Sequence, residues 1–186
     1  MSRVFVITGP SGVGKGTVIA ALRERMPELE LSVSATTRPP RSGERDGVDY
    51  HFIDDDEFDR RVRADDFLEH ATYAGHRYGT LRSEVERRVA AGAPVVLEIE
   101  VQGARQVHRE MPEALLVFVA PPSLESLRER LKARGTDDPA QVRDRLGTAA
   151  RELEAQHEFD RRIVNDRLED AVAKLEAAVR EVLRTQ

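Results

Sequence analysis

Apolar residues fall along this chain in short dense runs, separated by longer stretches in which they recur only every third or fourth position. The runs RVFVIT (3–8), PVVLEIEV (94–101) and LLVFVA (115–120), with the shorter RIVN (162–165), are rich in β-branched residues. Such compact apolar runs predict buried strands. Between them Val18, Leu22 and Met26 keep helical spacing up to Pro27, where a helix must stop. Helical stretches are also predicted for SEVERRVAAG, ending at Gly92, for GARQVHREM, ending before Pro112, and for residues 123–135. The last, LEDAVAKLEAAVREVL, sets Leu168, Val172, Leu175, Val179 and Leu183 on one face. Strands alternating with helices predict an α/β fold whose parallel sheet is covered on both sides.

Two segments interrupt this alternation. Residues 34–81 carry a polar loop, a short helix after Asp54 to Asp56, and two runs, DFLEHATY and HRYGT, that can pair as a hairpin. Residues 123–156 are helical but broken by GTDDP. Both are expected to be lobes inserted into one domain: a core of 1–33, 82–122 and 157–186, a first lobe over 34–81, and a second over 123–156. The 186 residues suit a single core of that size.

Composition narrows the setting. With 40% hydrophobic and 34% charged residues the balance is that of a globular protein. No apolar run approaches the roughly 20 residues of a membrane span, and the start lacks the pattern of a signal peptide. There is no cysteine, so neither a disulfide nor a thiolate metal site can form, and a cytoplasmic location is expected. The net charge of -5, from 29 basic and 34 acidic residues, speaks against a nucleic-acid partner, as the apolar pattern does against a membrane. It leaves small anions open, because these need only a few well-placed arginines.

The stretch GPSGVGKGT (9–17) lies where a strand turns into a helix. The strict phosphate-binding motif is G-x-x-x-x-G-K followed by Ser or Thr. Here Gly9, Gly14 and Lys15 fall in place, but Gly16 follows and the hydroxyl comes one position late, at Thr17. Backbone N–H groups of Gly9, Pro10 to Gly14 (less the proline), Lys15, Gly16 and Thr17 can converge on phosphate oxygens at the positive end of the helix. The intervening Ser11, Gly12 and Val13 belong to the same loop. Lys15 adds a point charge, and Thr17 is the candidate for magnesium, directly or through water.

Other candidates surround this loop in chemistry rather than in sequence. Glu98 and Glu100, two apart on a predicted strand, point the same way, toward the sheet end where open α/β folds bind ligands. They could order magnesium's water shell or the acceptor, or simply be solvated acids at a strand edge. Arg38 and Arg41 lie on a proline-stiffened loop, and Arg130 and Arg134 share a helix face, with Arg145 beyond the GTDDP break. Alone, each arginine set also suits a solvated surface. No H-R-D catalytic segment is present, and the histidines form no recognisable constellation. An acceptor that already carries a phosphate anion needs no base, only cations that hold two phosphates in line.

Taken in order, GPSGVGKGT, SATTRPPRSGERDGVDYHF, HRYGT, EIEVQGA, RLKARGT and IVND resemble the motif series of guanylate kinases over essentially the whole chain. The resemblance implies a three-layer P-loop kinase fold with a five-stranded parallel core, an inserted GMP-binding lobe and a helical lid. It implies transfer of the γ-phosphoryl group from ATP, with magnesium, to GMP or dGMP. Ser34, Glu69 and Thr80 then stand as guanine readers. Arg38, Arg41, Tyr50 and Tyr78 stand around the GMP phosphate, and Glu98 and Glu100 where the family usually has aspartates. Arg130, Arg134 and Arg145 would close over the transferring group, and Asn165 would lie near adenine. FDRRIVND departs from the family's aromatic-rich pattern at that point. A kinase of phosphorylated sugars would share the fold but lack the guanine readers. A phosphopeptide-binding scaffold module would have a damaged loop. The sequence leaves open a monomer or a small homo-oligomer.

Overall fold

A computed structural model describes residues 3–133 and 139–185. Its core is a five-stranded parallel sheet of β1 (Val4–Thr8), β2 (Glu30–Leu31), β7 (Val95–Glu98), β8 (Leu115–Ala120) and β9 (Arg161–Val164). The order across the sheet is β2-β7-β1-β8-β9, with β1 at the centre and every pairing parallel. Successive residues of β1 supply opposite faces, as strand geometry requires. Phe5 and Ile7 pack with α1 (Lys15–Arg25) and α7 (Leu168–Arg184) through Ile19, Leu22, Val172, Leu175 and Val179. Val4 and Val6 pack on the other side with Val85 of α3 (Arg82–Ala90) and Val107 of α4 (Val101–Glu110). Strands covered on both faces must be apolar throughout, which is why these runs do not alternate.

Two expectations shift. The fifth strand, β2, has only two residues, too short to leave a hydrophobic pattern. On the last helix Leu168 is 39% exposed at the first turn, and the buried face is completed instead by Ala171 and Ala178.

A second sheet lies within residues 34–81, in the order β4-β3-β6-β5. It comprises β3 (Ser34–Thr36), β4 (His51–Phe52), β5 (Phe67–Tyr73) and β6 (His76–Leu81), with α2 (Asp55–Arg63) between β4 and β5. The side chain of Asp54 caps α2 by accepting from Glu57 N–H at 2.7 Å. Strands β5 and β6 form an antiparallel hairpin whose two-residue turn, Ala74 and Gly75, has φ of 49° and 79°. Two positive φ values in a two-residue turn match the right-handed strand twist. Phe58 and Phe67 form this sheet's own core, with ring centroids 4.6 Å apart. Beyond β8 come α5 (Leu124–Ala133) and α6 (Pro139–Glu154), joined through Leu127, Leu131, Val142 and Ala149. No helix among the described residues is long and apolar enough to cross a membrane.

Candidate functional site

The phosphate-binding loop hangs between β1 and α1, and two of its glycines explain the local path. At Gly9 a Cβ would lie 2.1 Å from the carbonyl oxygen of Val119, so any side chain would push β1 and β8 apart. Gly14 caps α1 in the left-handed conformation, φ 94°, and α1 starts at once on Lys15. The loop is also tied from behind. The Val13 carbonyl accepts from Asn165 Nδ2 at 2.8 Å and from Arg130 Nη1 at 3.2 Å. Arg130 Nη2 also donates to the Asn165 carbonyl at 2.8 Å. Lys15 Nζ donates to the carbonyls of Gly9 and Pro10, at 2.6 and 3.2 Å.

Opposite the loop stands the second sheet, and its register decides what faces the cleft. Across three strands Ser34 pairs with Thr80, and Thr80 pairs with Glu69. Directly paired residues share a face, so these three side chains form one polar row. Glu69 reaches that face because of a bulge. The register shifts between Phe67 and Glu69, so that Phe67 faces Leu81 while Glu69 faces Thr80. Without the extra residue Phe67 and Glu69 would share a face, and the carboxylate would enter the Phe58 core. Thr80 donates its hydroxyl to Glu69 Oε1 at 2.6 Å. Burial pushes the Glu69 carboxyl up to about 7, partly offset by the Thr80 hydroxyl and N–H.

The loop borders one cleft of about 490 Å³ together with Ser34 and Glu69, while Thr80 is fully buried between them. Gly9, Ser11, Gly12, Gly14, Lys15, Gly16 and Thr17 form one wall. Ser34, Arg41, Tyr50, Glu69, Tyr73 and Tyr78 form the other, with Glu98, Glu100, Arg145 and Glu152 between them. Tyr50 and Tyr78 meet edge-on, centroids 6.1 Å apart. Arg38 lies behind them, 5.3 Å over the Tyr50 ring, its guanidinium 2.8 Å from Glu44 Oε1. Glu44 also accepts the Arg41 backbone N–H at 2.7 Å, so one carboxylate holds both ends of the arginine loop. These contacts keep the Glu44 carboxyl below its ordinary range, the Arg38 guanidinium first among them.

The acids between the walls behave alike. Desolvation raises the Glu98 carboxyl, with Lys15 pulling the other way. Glu100 rises to about 7 through desolvation and the neighbouring charges of Glu69 and Glu152. Glu98 still meets solvent, because it is desolvated by the cleft walls rather than sealed in. Glu152 is raised by burial too, while the Lys15 charge and the nearby Ser11 backbone N–H favour its ionised form.

Several placements differ from the expectation drawn from spacing. Strand β7 ends at Glu98, and Glu100 is the residue before α4, so the two acids converge through a strand end and a helix start rather than along one strand. The family resemblance sets Arg130 over the transferring phosphoryl group. Arg130 does not line the cleft but holds the loop from behind, because its planar fork meets the carbonyls of Val13 and Asn165. Asn165 is buried on the same loop carbonyl. Arg134 lies outside the described residues. Thr17 lines the cleft from the first turn of α1, and among the described residues no group of three acidic or imidazole side chains is poised for a metal.

Sequence reasoning missed Glu44, Tyr73 and Glu152. Glu152 follows Arg145 by two helical turns on α6 and so shares its face, a signal that periodicity carries. Burial raises the Tyr73 phenol, with the Ser11 hydroxyl pulling the other way.

The family model described as guanylate kinase matches residues 1–182. The guanylate kinase of Frankia casuarinae is 57% identical over 92% of this chain and 94% of its own length. That of Thermobifida fusca is 55% identical over 95% of this chain and 90% of its own. The crystal structure of guanylate kinase from Anaplasma phagocytophilum superimposes with a TM-score of 0.78 at 32% identity, covering 96% of this chain and 84% of that one. Shikimate kinase from Bacteroides thetaiotaomicron, at TM-score 0.51 and 16% identity, shares the fold alone.

Proposed function

The chain belongs to the guanylate kinase family and transfers the γ-phosphoryl group of ATP to GMP, and we propose that its cleft divides that work between the two walls described above. The observation that carries the assignment is that Ser34 and Glu69, set side by side through Thr80, face the phosphate-binding loop across one cleft.

The row takes the base. An ionised Glu69 accepts from the N1–H and 2-amino groups of guanine, while Thr80 and Ser34 serve the remaining polar edge. Adenine presents an acceptor at N1 and no 2-amino group, so it would leave a buried carboxylate without its donors. A site built to hydrogen-bond one edge can reject such a ligand by about 10⁴-fold or more. Arg41, Tyr50 and Tyr78 receive the GMP phosphate, with Arg38 held ready behind them by Glu44.

The loop takes ATP. Its backbone N–H groups and the N-terminus of α1 face the phosphates, and Lys15 exchanges the carbonyls of Gly9 and Pro10 for phosphate oxygens. Arg130 and Asn165 keep the loop in shape from behind and lie toward the adenine end. The donor set also fits magnesium, which binds through one or two carboxylates and phosphate while keeping waters. Three carboxyls raised by burial, Glu98, Glu100 and Glu152, line the cleft with Lys15 and Thr17. Thr17 and Glu98 would hold the ion's shell, and the ion supplies charge neutralisation at the β- and γ-phosphates.

The GMP phosphate oxygen is already anionic, so transfer needs alignment and charge neutralisation rather than a base. Arg145 lines the cleft from α6 and would face the meeting point of the two phosphates. Closure excludes water, which would otherwise accept the phosphoryl group. The reading extends to dGMP, because no named contact depends on the ribose 2′-hydroxyl.

The test is ADP release with ATP and magnesium against GMP, dGMP, AMP, CMP, UMP and a phosphorylated pentose. Turnover confined to GMP and dGMP supports the row as base reader. Turnover with the sugar phosphate would discard it.

A further inference from the structure

Gly103 is the third residue of α4 and is buried. It has no left-handed φ to explain its presence. Within a helix glycine is a poor choice, since alanine forms helix better. What surrounds it supplies the reason. A Cβ at this position would lie 2.3 Å from Glu69 Oε2, 3.0 Å from its Cδ and 3.5 Å from its Cγ. All three nearest neighbours belong to that one side chain. The contrast with Gly9 is instructive, because there the obstructing atoms are backbone.

One turn further along α4, Gln106 faces the same strand. Its Nε2–H donates to the His70 carbonyl at 2.7 Å, and its Oε1 accepts the His70 N–H at 3.2 Å. The amide thus engages both backbone groups of the residue that follows Glu69. Helix α4 therefore grips β5 beside the carboxylate and is bare where the carboxylate lies.

We propose that Gly103 is a specificity-determining positioning residue: its missing side chain forms the seat of the Glu69 carboxylate, and the Gln106 clamp holds β5 against that seat. This rests on the assignment of Glu69 to the guanine base. Ordinary carbon–oxygen contacts begin near 3.3 Å, so an added methyl displaces Oε2 by about 1 Å. The backbone has no reason to move, because the displaced atoms are the end of a side chain. The damage falls on base recognition and not on the fold.

The experiment uses the full chain with Gly103→Ala, Glu69→Gln, Glu69→Asp and the double variant Gly103→Ala/Glu69→Asp. Each is assayed for KM of GMP, IMP and ATP and for its unfolding midpoint. IMP lacks the 2-amino group and reports on base discrimination. Gly103→Ala is expected to unfold at or above the wild-type temperature and to raise KM for GMP by roughly 10- to 100-fold, the range for losing a hydrogen bond to a charged group. KM for ATP should stay within about twofold, and the preference for GMP over IMP should fall. Glu69→Asp withdraws the carboxylate by one carbon–carbon bond, about 1.5 Å. It should weaken GMP alone yet restore part of the loss in the double variant.

A wild-type KM for GMP in Gly103→Ala, where Glu69→Gln is damaged, overturns the seat and leaves the base reading intact. Equal losses for GMP and ATP with a lowered midpoint would make Gly103 a packing residue and also overturn the proposal. An unchanged KM for GMP in Glu69→Gln removes the base reading, and the proposal with it.

Discussion

Glu69→Gln should make the empty enzyme less sensitive to alkaline pH while harming its use of GMP. The wild-type carboxyl is 4% exposed and titrates at about 7 instead of its ordinary 4.5. Between those values the folded state binds the proton better than the unfolded chain, so Glu69 favours folding on the acidic side. That contribution is present below about 4.5 and is lost as pH rises through about 7. Integrated between pH 5 and pH 8, the loss is about 2 kcal/mol. Glutamine does not titrate and can still accept the Thr80 hydroxyl, so the variant lacks this loss. The effect on Glu100 has the same sign. Its carboxyl is raised partly by the Glu69 charge, and removing that charge lowers it and flattens the profile further. Urea unfolding at pH 5 and pH 8, for both proteins, measures the difference between the two pH slopes. It cancels any constant cost of burying the amide. Parallel slopes for wild type and variant would refute the claim that Glu69 is held desolvated.

The same titration should appear in binding. The guanine donors need the ionised carboxylate, so KM for GMP should rise by up to about tenfold per pH unit below 7 in the wild type, and that bend should vanish in Glu69→Gln. Lys15→Met should lower kcat by at least about 10²-fold, with circular dichroism and the unfolding midpoint unchanged. Glu44→Ala releases Arg38 and the Arg41 backbone and should raise KM for GMP by about tenfold while leaving that for ATP alone, as steady-state kinetics can check. Glu152→Ala removes the carboxylate beside Lys15 and the Ser11 N–H and should raise KM for ATP by about tenfold with little effect on GMP, read from the same assay.

The core strands were legible because a parallel sheet buried on both faces demands the continuous apolar runs seen at β1, β7 and β8. The short β2 was not legible, since two residues carry no period. Nor was β3, which the sequence presents as part of a polar loop. Ser34 and Thr36 turn their polar side chains to one face, where they meet Thr80 and Tyr78 of β6. The candidate residues were named by likeness to a family, but what assembles them is register. Ser34, Glu69 and Thr80 stand side by side only through pairings across three strands, and the bulge that turns Glu69 away from the Phe58 core leaves no mark in the pattern of apolar positions. Glu100 misled because strand spacing was extended past the point where the backbone turns into α4. The resemblance sets Arg130 over the transferring group, whereas its fork here meets the loop carbonyls, because a helix face says which arginines are together and not which way they reach.

The titration of Glu69 also bounds how much selectivity one residue supplies. A carboxyl raised from 4.5 to about 7 is disfavoured in its ionised form by about 3 kcal/mol. Guanine can recover that much by donating to it, and adenine cannot. Three kilocalories correspond to somewhat more than 10²-fold in affinity. Rejection of AMP by 10⁴-fold therefore needs a second contribution of similar size, and the row places it next to the first. Thr80 gives its hydroxyl proton to Glu69, so its oxygen is left able only to accept unless that bond is exchanged. Ser34, paired to Thr80 on the far side, can donate its hydroxyl to the 6-oxo group of guanine but can equally accept from a 6-amino group, so the second contribution falls to the acceptor at adenine N1, which would face the Glu69 carboxylate in place of a donor. If the row reads the base, selectivity in this cleft belongs to three paired strands, because their register places the carboxylate that meets N1.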